Sequence, residues 1–286
     1  MLGQPGFHAE VIEDVREPGT PLLAGLCVAV VLDARWEALL AKAPPAEASA
    51  LLYQELASGA FTPPGPQEIA ERNSHGRISL FILHNRCVLE EYQDASHDRL
   101  LRGATQGFHL QRLFQEGRGE DLQLRRQGWQ PQPARQGLQL FSMSRLLAAS
   151  LPAHSVLAEA FHYGAPRLGM GPAEQRTLRL AVAGIGDVQI AAELGVTERS
   201  VLRAWQAVSQ RICTRLPQLC NGHPCAGVPG QLHPAARAAL MNYLLDHPEE
   251  LRPYLHQDAS TAGCEVLLQW PRARVMELPP ALRPKR

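Results

Sequence analysis

The sequence contains almost no lysine and no long run of apolar residues. Lys42 and Lys285 are its only lysines, so nearly all of its positive charge is arginine. The longest apolar run, Leu22–Leu32, is too short for a bilayer, which requires about 20 apolar residues. Acidic residues rather than a basic segment precede this run, unlike in a secretory signal. These absences predict a chain with no membrane contact that is located in the cytoplasm.

Other absences exclude classes of function. The sequence has no GxxxxGK[ST] phosphate-binding loop, which argues against ATP hydrolysis of the P-loop type. The formal net charge is zero, so the overall charge gives no indication of a nucleic-acid partner. Six cysteines in a chain of 286 residues without a signal segment predict free thiols in a reducing compartment. Any indication of function in this sequence therefore lies in local patterns.

The strongest local pattern lies in residues 172–212, PAEQRTLRLAVAGIGDVQIAAELGVTERSVLRAWQAVSQRI. Apolar residues recur at helical spacing in three segments, and two glycine-containing breaks separate them. Asp187 is a candidate N-cap for the second segment, and Thr197 is one for the third. Gly195 suits the position after the second helix, where a residue in the left-handed conformation commonly ends a helix. These N-caps and glycine-containing breaks predict a helix-turn-helix.

The third segment has one apolar and one polar side. Its apolar residues are Val201, Ala204, Trp205, Val208 and Ile212, and the opposite side carries Arg199, Ser200, Arg203, Gln206 and Gln210. No acid follows Glu198 on the polar side. Residues 168–216 contain six arginines and four acids, which is a mild positive excess. This pattern favours contact with nucleic acid, and a solvated helix face is the alternative interpretation.

These residues resemble the C-terminal DNA-binding domain of LuxR-type transcriptional regulators. The matching positions are Pro172, Glu174, Leu178, Leu180, Gly184, Gln189, Ile190, Ala191, Leu194, Thr197, Ser200 and Val201. Region 4 of sigma factors, a related helix-turn-helix, has a similar pattern of leucines, Ile-Ala and a capped last helix. The chain departs from the LuxR pattern at Gly171, Leu202 and Ala204, where Thr, Lys and often His are common.

The resemblance implies a DNA-binding transcriptional regulator whose third helix reads the major groove. The DNA-contacting residues that it implies are Gln189, Thr197, Arg199, Ser200, Leu202, Arg203 and Gln206. The hydroxyls of Thr197 and Ser200 would donate to phosphate, and Arg199 and Arg203 would contact phosphate or guanine. Leu202 would offer an apolar contact, for example to a thymine methyl group. A protein–protein interaction or oligomerisation module without DNA binding is the alternative function.

The resemblance also bears on assembly and on the signal. Family members dimerise through a fourth helix, but the residues directly after Ile212 lack its pattern. We expect a homodimer that uses the amphipathic helix predicted at residues 235–246 or the N-terminal half. The N-terminal half has no late lysine, which argues against a phosphoreceiver, and no Trp-x-x-x-Tyr pair, which argues against an acyl-homoserine-lactone sensor. A different small-molecule ligand at the N-terminal domain is the remaining candidate signal.

The predicted fold class is α+β, with an N-terminal α/β sensor-like domain followed by an all-α helix-turn-helix domain with a helical tail. The predicted boundaries are 1–21 for a flexible arm, 22–162 for the input domain, 163–171 for a linker, 172–216 for the helix-turn-helix, and 217–286 for a loop and the tail. Residues 77–92 contain two β-rich runs around Asn85-Arg86 and predict a hairpin. A hairpin followed by a short helix is similar to the opening of PAS-type sensor domains. Residues 107–119 predict a helix.

Three further groups of residues are weaker candidates for sites. Some aromatic residues could wall a ligand pocket, although such residues more often fill a core: they are Trp36, Tyr53, Phe81, Tyr92, Trp129 and Phe141. Cys213, Cys220, His223 and Cys225 are of zinc-ligating types, but their spacing matches no common zinc site and favours unpaired thiols. His84 and Cys87 flank the predicted turn without an orienting acid. We expect no enzyme activity, no catalytic or metal-binding residue and no cofactor.

Overall fold

The structure is a computed structural model that describes residues 6–14, 22–88, 93–117, 122–133, 138–220 and 232–255. Its fold is α+β, as predicted. The strands are β1 (Phe7–Asp14), β2 (Leu22–Val31), β3 (Ile78–Cys87), β4 (Leu110–Gly117), β5 (Gln130–Pro131) and β6 (Gln139–Ser144). The α-helices are α1 (Ala34–Lys42), α2 (Ala48–Ser58), α3 (Pro66–Ser74), α4 (Gln93–Thr105), α5 (Leu122–Arg126), α6 (Arg145–Ala148), α7 (Val156–Phe161), α8 (Pro172–Val182), α9 (Asp187–Leu194), α10 (Glu198–Arg215) and α11 (Pro234–Asp246). Short 3₁₀ helices at Pro217–Cys220 and Pro248–Leu251 lie on either side of α11.

The strands form one mixed sheet in the order β1-β2-β3-β4-β6-β5. Neighbouring strands are antiparallel, except that β3 and β4 run parallel. A parallel pair requires a crossover connection between its strands, and α4 lies in that connection. Phe81 of β3 pairs with Phe114 of β4, and both side chains are buried.

Helices cover both faces of the sheet. Successive side chains at the end of β2 point to opposite faces and pack against different helices. Ala29 and Val31 pack into an apolar cluster with residues of α4 and α7. Val30 and Leu32 pack into a second cluster with residues of α1 and α2. A strand that is buried on both faces has no polar side, which explains the apolar residues at 24–32, whereas Leu22 and Leu23 at the start of the run are exposed.

A separate apolar cluster lies in the helices after residue 167. Its buried members on α8 to α11 are Leu178, Ile190, Ala191, Val201, Trp205, Val208, Ile212, Ala236, Leu240 and Leu244. The helix predicted at residues 235–246 is present as α11, and its buried side chains Ala236, Leu240 and Leu244 recur at four-residue spacing. This helix therefore shares one core with α8, α9 and α10.

Residues 247–255, which we call the strap, contact both the sheet region and the helices that follow it. On the sheet side, the Asn73 side-chain amide donates to the carbonyl oxygen of Pro253 at 3.0 Å. On the helical side, the Gln175 side-chain amide donates to the carbonyl oxygen of Arg252 at 2.7 Å. The strap thus joins α3 to α8 by direct hydrogen bonds.

The predicted hairpin at residues 77–92 is wrong. β3 runs unbroken through Asn85 and Arg86, because these residues pair with Cys27 and Leu26 of β2. Non-local pairing therefore overrides the local turn signal. The described part of this stretch, residues 77–88, therefore does not form the hairpin that suggested a PAS-type opening.

Two other predicted elements are also wrong. Residues 107–119 contain β4 rather than a helix. Leu110, Leu113 and Phe114 have helical spacing, but they pair with β3 on one side or β6 on the other, and these tertiary contacts decide the conformation. The flexible arm predicted at the start of the chain is wrong for Phe7–Asp14, which form β1 at the sheet edge.

Candidate nucleic-acid interface

The turn between α9 and α10 has the geometry that the sequence predicts. Gly195 ends α9 with a φ of 63°, a left-handed conformation that costs glycine little. The Thr197 hydroxyl accepts a hydrogen bond from the backbone N–H of Ser200 at 3.2 Å and caps α10. The backbone N–H of Val196 donates to the carbonyl oxygen of Ala191 at 3.0 Å. These bonds fix the direction in which α10 leaves α9.

The prediction that Asp187 is the N-cap of α9 is wrong, because Gly186 occupies that position. The Asp187 carboxylate instead accepts hydrogen bonds from the Trp205 indole N–H at 3.1 Å and from the Arg237 guanidinium at 2.8 and 3.2 Å. The guanidinium of Arg237 also lies 4.2 Å from the centre of the Trp205 ring, in a cation–π contact. These three side chains connect α9, α10 and α11.

The pKa of Asp187 reflects these bonds. Burial raises the pKa, but the hydrogen bonds and charge of Arg237, with the bond from Trp205, outweigh burial and lower the pKa below its usual value. The carboxylate is therefore charged at neutral pH and remains paired with Arg237. Sequence reasoning missed Arg237, since it lies 50 positions after Asp187 and no local spacing links the two.

Glu174 connects the first turn of α8 to α10. Its carboxylate accepts a hydrogen bond from the backbone N–H of Gly171, the N-cap of α8. It also accepts one from the Nε of Arg211 on α10 at 3.2 Å, and Glu174 is buried. The guanidinium of Arg211 thus holds two helices together.

The side chains predicted to contact DNA lie outside the shared core. Gln189, Thr197, Arg199, Leu202 and Arg203 are exposed, and Ser200 and Gln206 are partly buried. On the opposite side of α10, Val201 is 1% exposed and Trp205 is 3% exposed. The spacing of Arg199, Leu202, Arg203 and Gln206 places them on one helix face. The helical spacing of apolar and polar residues in the sequence therefore correctly distinguishes the buried side of α10 from its outer side.

The positive charge of this face is smaller than the sequence count suggests. Of the six arginines between residues 168 and 216, Arg199, Arg203 and Arg215 are exposed. Arg215 lies about 18 Å from Arg203 along the helix axis, at a rise of about 1.5 Å per residue. The outer face near the start of α10 thus carries two arginines beside Glu198.

The weaker candidates that the structure describes do not come together as sites. His84 and Cys87 lie on the same strand instead of opposite each other across a turn. Trp36, Phe81, Trp129 and Phe141 are core residues, Tyr53 is exposed, and Tyr92 lies outside the described residues. Aromatic residues in the described core therefore fill space between sheet and helices, as their alternative interpretation holds.

The cysteine cluster after α10 is described only in part. Cys213 is an exposed free thiol, and His223 and Cys225 lie outside the described residues. Cys220 is disulfide-bonded, so the expectation of free thiols is wrong for this residue. No group of three or more metal-ligating side chains occurs in the part of the chain that the structure describes.

Comparisons with known proteins found no family model, curated protein or solved structure that matches this chain. Among the described residues, no helix is both long enough and apolar enough to cross a membrane. The geometry of α8 to α11 is therefore the feature that bears on function.

Proposed function

We propose that this chain is a cytoplasmic, DNA-binding transcriptional regulator whose α9 and α10 form a helix-turn-helix of the LuxR type. The observation that carries the proposal is the outer face of α10. It presents Arg199, Arg203 and Gln206 within the first half of the helix, while Val201 and Trp205 are buried on the other side. A recognition helix requires this division, because its N-terminal residues contact base edges while its other side holds the domain together.

The start of α10 supports contact with phosphate. The N-terminus of a helix carries partial positive charge and favours anions. The hydroxyls of Thr197 and Ser200 lie there and share a hydrogen bond of 3.0 Å, so one of them donates to the other and the other can donate to a phosphate oxygen. Arg199 and Arg203 have planar guanidinium groups that suit phosphate and guanine. In this proposal Gln189 contacts the DNA backbone from α9, and Leu202 contacts a thymine methyl group.

The remaining parts have roles that follow from this assignment. The region of the mixed sheet is the input domain, and residues 163–171 connect it to the DNA-binding helices. α11 replaces the family's fourth helix in the core, and its exposed Leu245 is a candidate contact in a homodimer. The strap gives the input domain a direct hydrogen-bonded connection to α8.

Variants of α10 test the proposal. A duplex should first be selected from a random pool with the full chain. Arg203→Ala should then weaken binding to that duplex by about 1–3 kcal/mol, as expected for one lost bidentate contact. Arg215→Ala, on the same helix but away from the proposed contact face, is the matched control and should bind normally. Unchanged affinity of a folded Arg203→Ala variant would remove Arg203 from the interface.

A second candidate function is protein–protein interaction or oligomerisation without DNA. The observation in its favour is that apolar side chains are exposed on α9, on α10 and in the turn between them: Val188 by 67%, Leu202 by 36% and Val196 by 42%, respectively. A protein-docking surface would use these side chains. Failure of the selection to enrich any duplex, together with a dimer that Val188→Ser dissociates, would favour this second function.

A further inference from the structure

A groove lies between two helices on the sheet side, α6 and α7, and the end of α11 with the strap. Ala148 of α6 and Ala158 of α7 belong to one wall, and Asp246 of α11 and Pro248 of the strap belong to the other. The volume of the groove is about 760 Å³. Pockets that bury drug-sized ligands have volumes of about 300–1,000 Å³. The groove therefore has room for a ligand of the size of a short peptide.

Arg145 brings a fixed positive charge to the sheet side of the groove. Its Nε donates to the carbonyl oxygen of Leu110 at 2.9 Å, and its Nη2 donates to the same oxygen and, at 2.9 Å, to the carbonyl oxygen of Gly76. These neutral acceptors hold the guanidinium group, but its charge has no ion-pair partner among the residues that the structure describes. Burial, followed by the charge of Arg145, lowers the pKa of His109. The Nη1 of Arg145, which bonds to no described residue, can donate to a ligand.

Asp246 brings a negative charge to the opposite side. It is the last residue of α11, it is exposed, and its carboxylate has no hydrogen bond or ion pair within the described part of the chain. The C-terminus of a helix carries partial negative charge, which disfavours an acid there and favours a cation. The other carboxylates of the groove differ, because Glu159 pairs with Arg102 at 2.7 Å and Glu249 lies 2.9 Å from the Nδ1 of His247. Asp246 is therefore the partner that the groove offers to a cationic group.

Arg145 and Asp246 line the same groove but form no ion pair with each other. A molecule with a carboxylate and an ammonium group can pair with both side chains, since hydrogen bonds between charged groups are the strong ones. Much of the remaining lining consists of small apolar side chains: Ala148, Ala149, Ala153, Ala158 and Ala165. The apolar part of a ligand gains free energy from burial against such walls. The groove therefore suits a zwitterion whose body between the charged ends is apolar.

We propose that this groove binds a short peptide, with its C-terminal carboxylate on Arg145, its N-terminal ammonium on Asp246 and its body against the alanines of α6 and α7. Both ends of an unblocked peptide are charged at neutral pH. The volume of the groove favours a peptide over a single amino acid.

The position of the groove connects peptide binding to the rest of the molecule. Because its walls belong to α6 and α7 on one side and to α11 and the strap on the other, the peptide bridges the sheet region and the helices that follow it. The binding of the peptide does not rest on the proposed function, whereas its effect on DNA affinity does. Such an effect requires that the peptide bind the DNA-bound and DNA-free states differently.

Tetra-alanine is the probe for the test, because its side chains are apolar and its two ends carry its only charges. Calorimetric titration of the full chain without DNA should show saturable binding with one site per chain. The N-acetylated form lacks the ammonium group and the C-terminal amide lacks the carboxylate, so each should bind at least about tenfold more weakly. No saturable binding of tetra-alanine, or equal or tighter binding of either blocked form, would overturn the proposal.

Variants assign each end of the peptide to its side chain. Asp246→Asn should abolish the preference for tetra-alanine over its N-acetylated form and keep the preference over the amide. Arg145→Gln should do the reverse. Each preference is a ratio of two affinities within one variant, so a general loosening of the groove does not mimic a selective loss. Arg167→Gln is the matched control, because it removes another exposed arginine of the groove, and both preferences should remain.

The variants can contradict the site in two ways. A folded Asp246→Asn or Arg145→Gln variant that keeps both preferences of the wild type would overturn the assignment. Loss of the preference over the amide in Arg167→Gln would also overturn it, since the carboxylate would then lie on Arg167. If Arg145→Gln does not fold, because its bonds to Leu110 and Gly76 are lost, Asp246→Asn decides the question alone.

The DNA arm separates this inference from the proposed function. Binding of tetra-alanine without any duplex binding would leave the site valid and contradict the regulator. Duplex binding without binding of tetra-alanine would do the reverse.

Discussion

The indole N–H of Trp205 donates a hydrogen bond to the Asp187 carboxylate at 3.1 Å and thereby joins the first turn of α9 to the buried side of α10. The guanidinium of Arg237 covers the Trp205 ring and donates to the same carboxylate, so α11 takes part in the link. The surrounding contacts are apolar and non-directional. This polar link therefore provides a directional contact between the two helices of the proposed helix-turn-helix.

The link should contribute measurably to stability. Asp187→Asn and Arg237→Gln should each destabilise the protein, and a double-mutant cycle should give a coupling of about 0.5–1.5 kcal/mol. A small value is expected because the side chains are 44% and 37% exposed, which weakens an ion pair by solvent screening. Urea unfolding of the wild type and the three variants, monitored by tryptophan fluorescence, measures this coupling free energy. A coupling indistinguishable from zero would show that the contact has no energetic role.

The left-handed glycine in the turn should be sensitive to substitution for a conformational reason alone. A Cβ at Gly195 would meet no atom within 4 Å, so Gly195→Ala introduces no clash. It should nevertheless destabilise the protein by about 1 kcal/mol, because alanine disfavours a positive φ. Gly195→Asn is the matched control and should cost less, since asparagine tolerates this conformation. Equal unfolding free energies for both variants would contradict this explanation.

α11 should be an integral part of the helical core. Leu240 is fully buried in the cluster that contains Val208 and Ile212. Leu240→Ala should destabilise the protein by about 2–5 kcal/mol, the usual cost of a large-to-small change in a core. Leu245→Ala, on the same helix and 63% exposed, should have little effect on unfolding. If both variants unfold like the wild type, α11 is not part of this core.

The buried carboxyl of Glu250 should give stability a characteristic pH dependence. It accepts hydrogen bonds from the backbone N–H groups of Arg167 and Leu168 and from the Tyr243 hydroxyl, but burial still raises its pKa above the usual 4.5. The folded state therefore holds this proton more tightly than the unfolded chain. The contribution to stability is complete below about pH 4.5 and is lost as the pH rises through the raised folded pKa.

Glu250→Gln removes this titration while keeping an acceptor for both backbone N–H groups. The unfolding free energy of the wild type, minus that of the variant, should fall as the pH rises from 4.5 through the raised folded pKa. Urea titrations at a series of pH values measure this difference. A difference that is constant with pH, or that grows as the pH rises, would contradict the assignment.

The sequence predicted features that depend on local chemistry. The left-handed Gly195, the Thr197 cap and the inner side of α10 follow from residue type and helical spacing, and the structure confirms them. β4 could not be predicted, because Leu113 and Phe114 have helical spacing and only pairing with distant strands makes them a strand. The partner of Asp187 could not be predicted for the same reason. Non-local contacts leave no local signal.

The salt dependence of duplex binding tests the central claim most directly. The affinity of the full chain for its selected duplex should be measured over a series of salt concentrations and plotted as log K against log salt. If Arg199 and Arg203 neutralise phosphates, the slope should be about −2 or steeper, and Arg199→Gln with Arg203→Gln should flatten it by up to about 2. A slope near zero for the wild type would contradict DNA binding. A steep slope that the double variant leaves unchanged would contradict the assignment of α10 as the contacting helix.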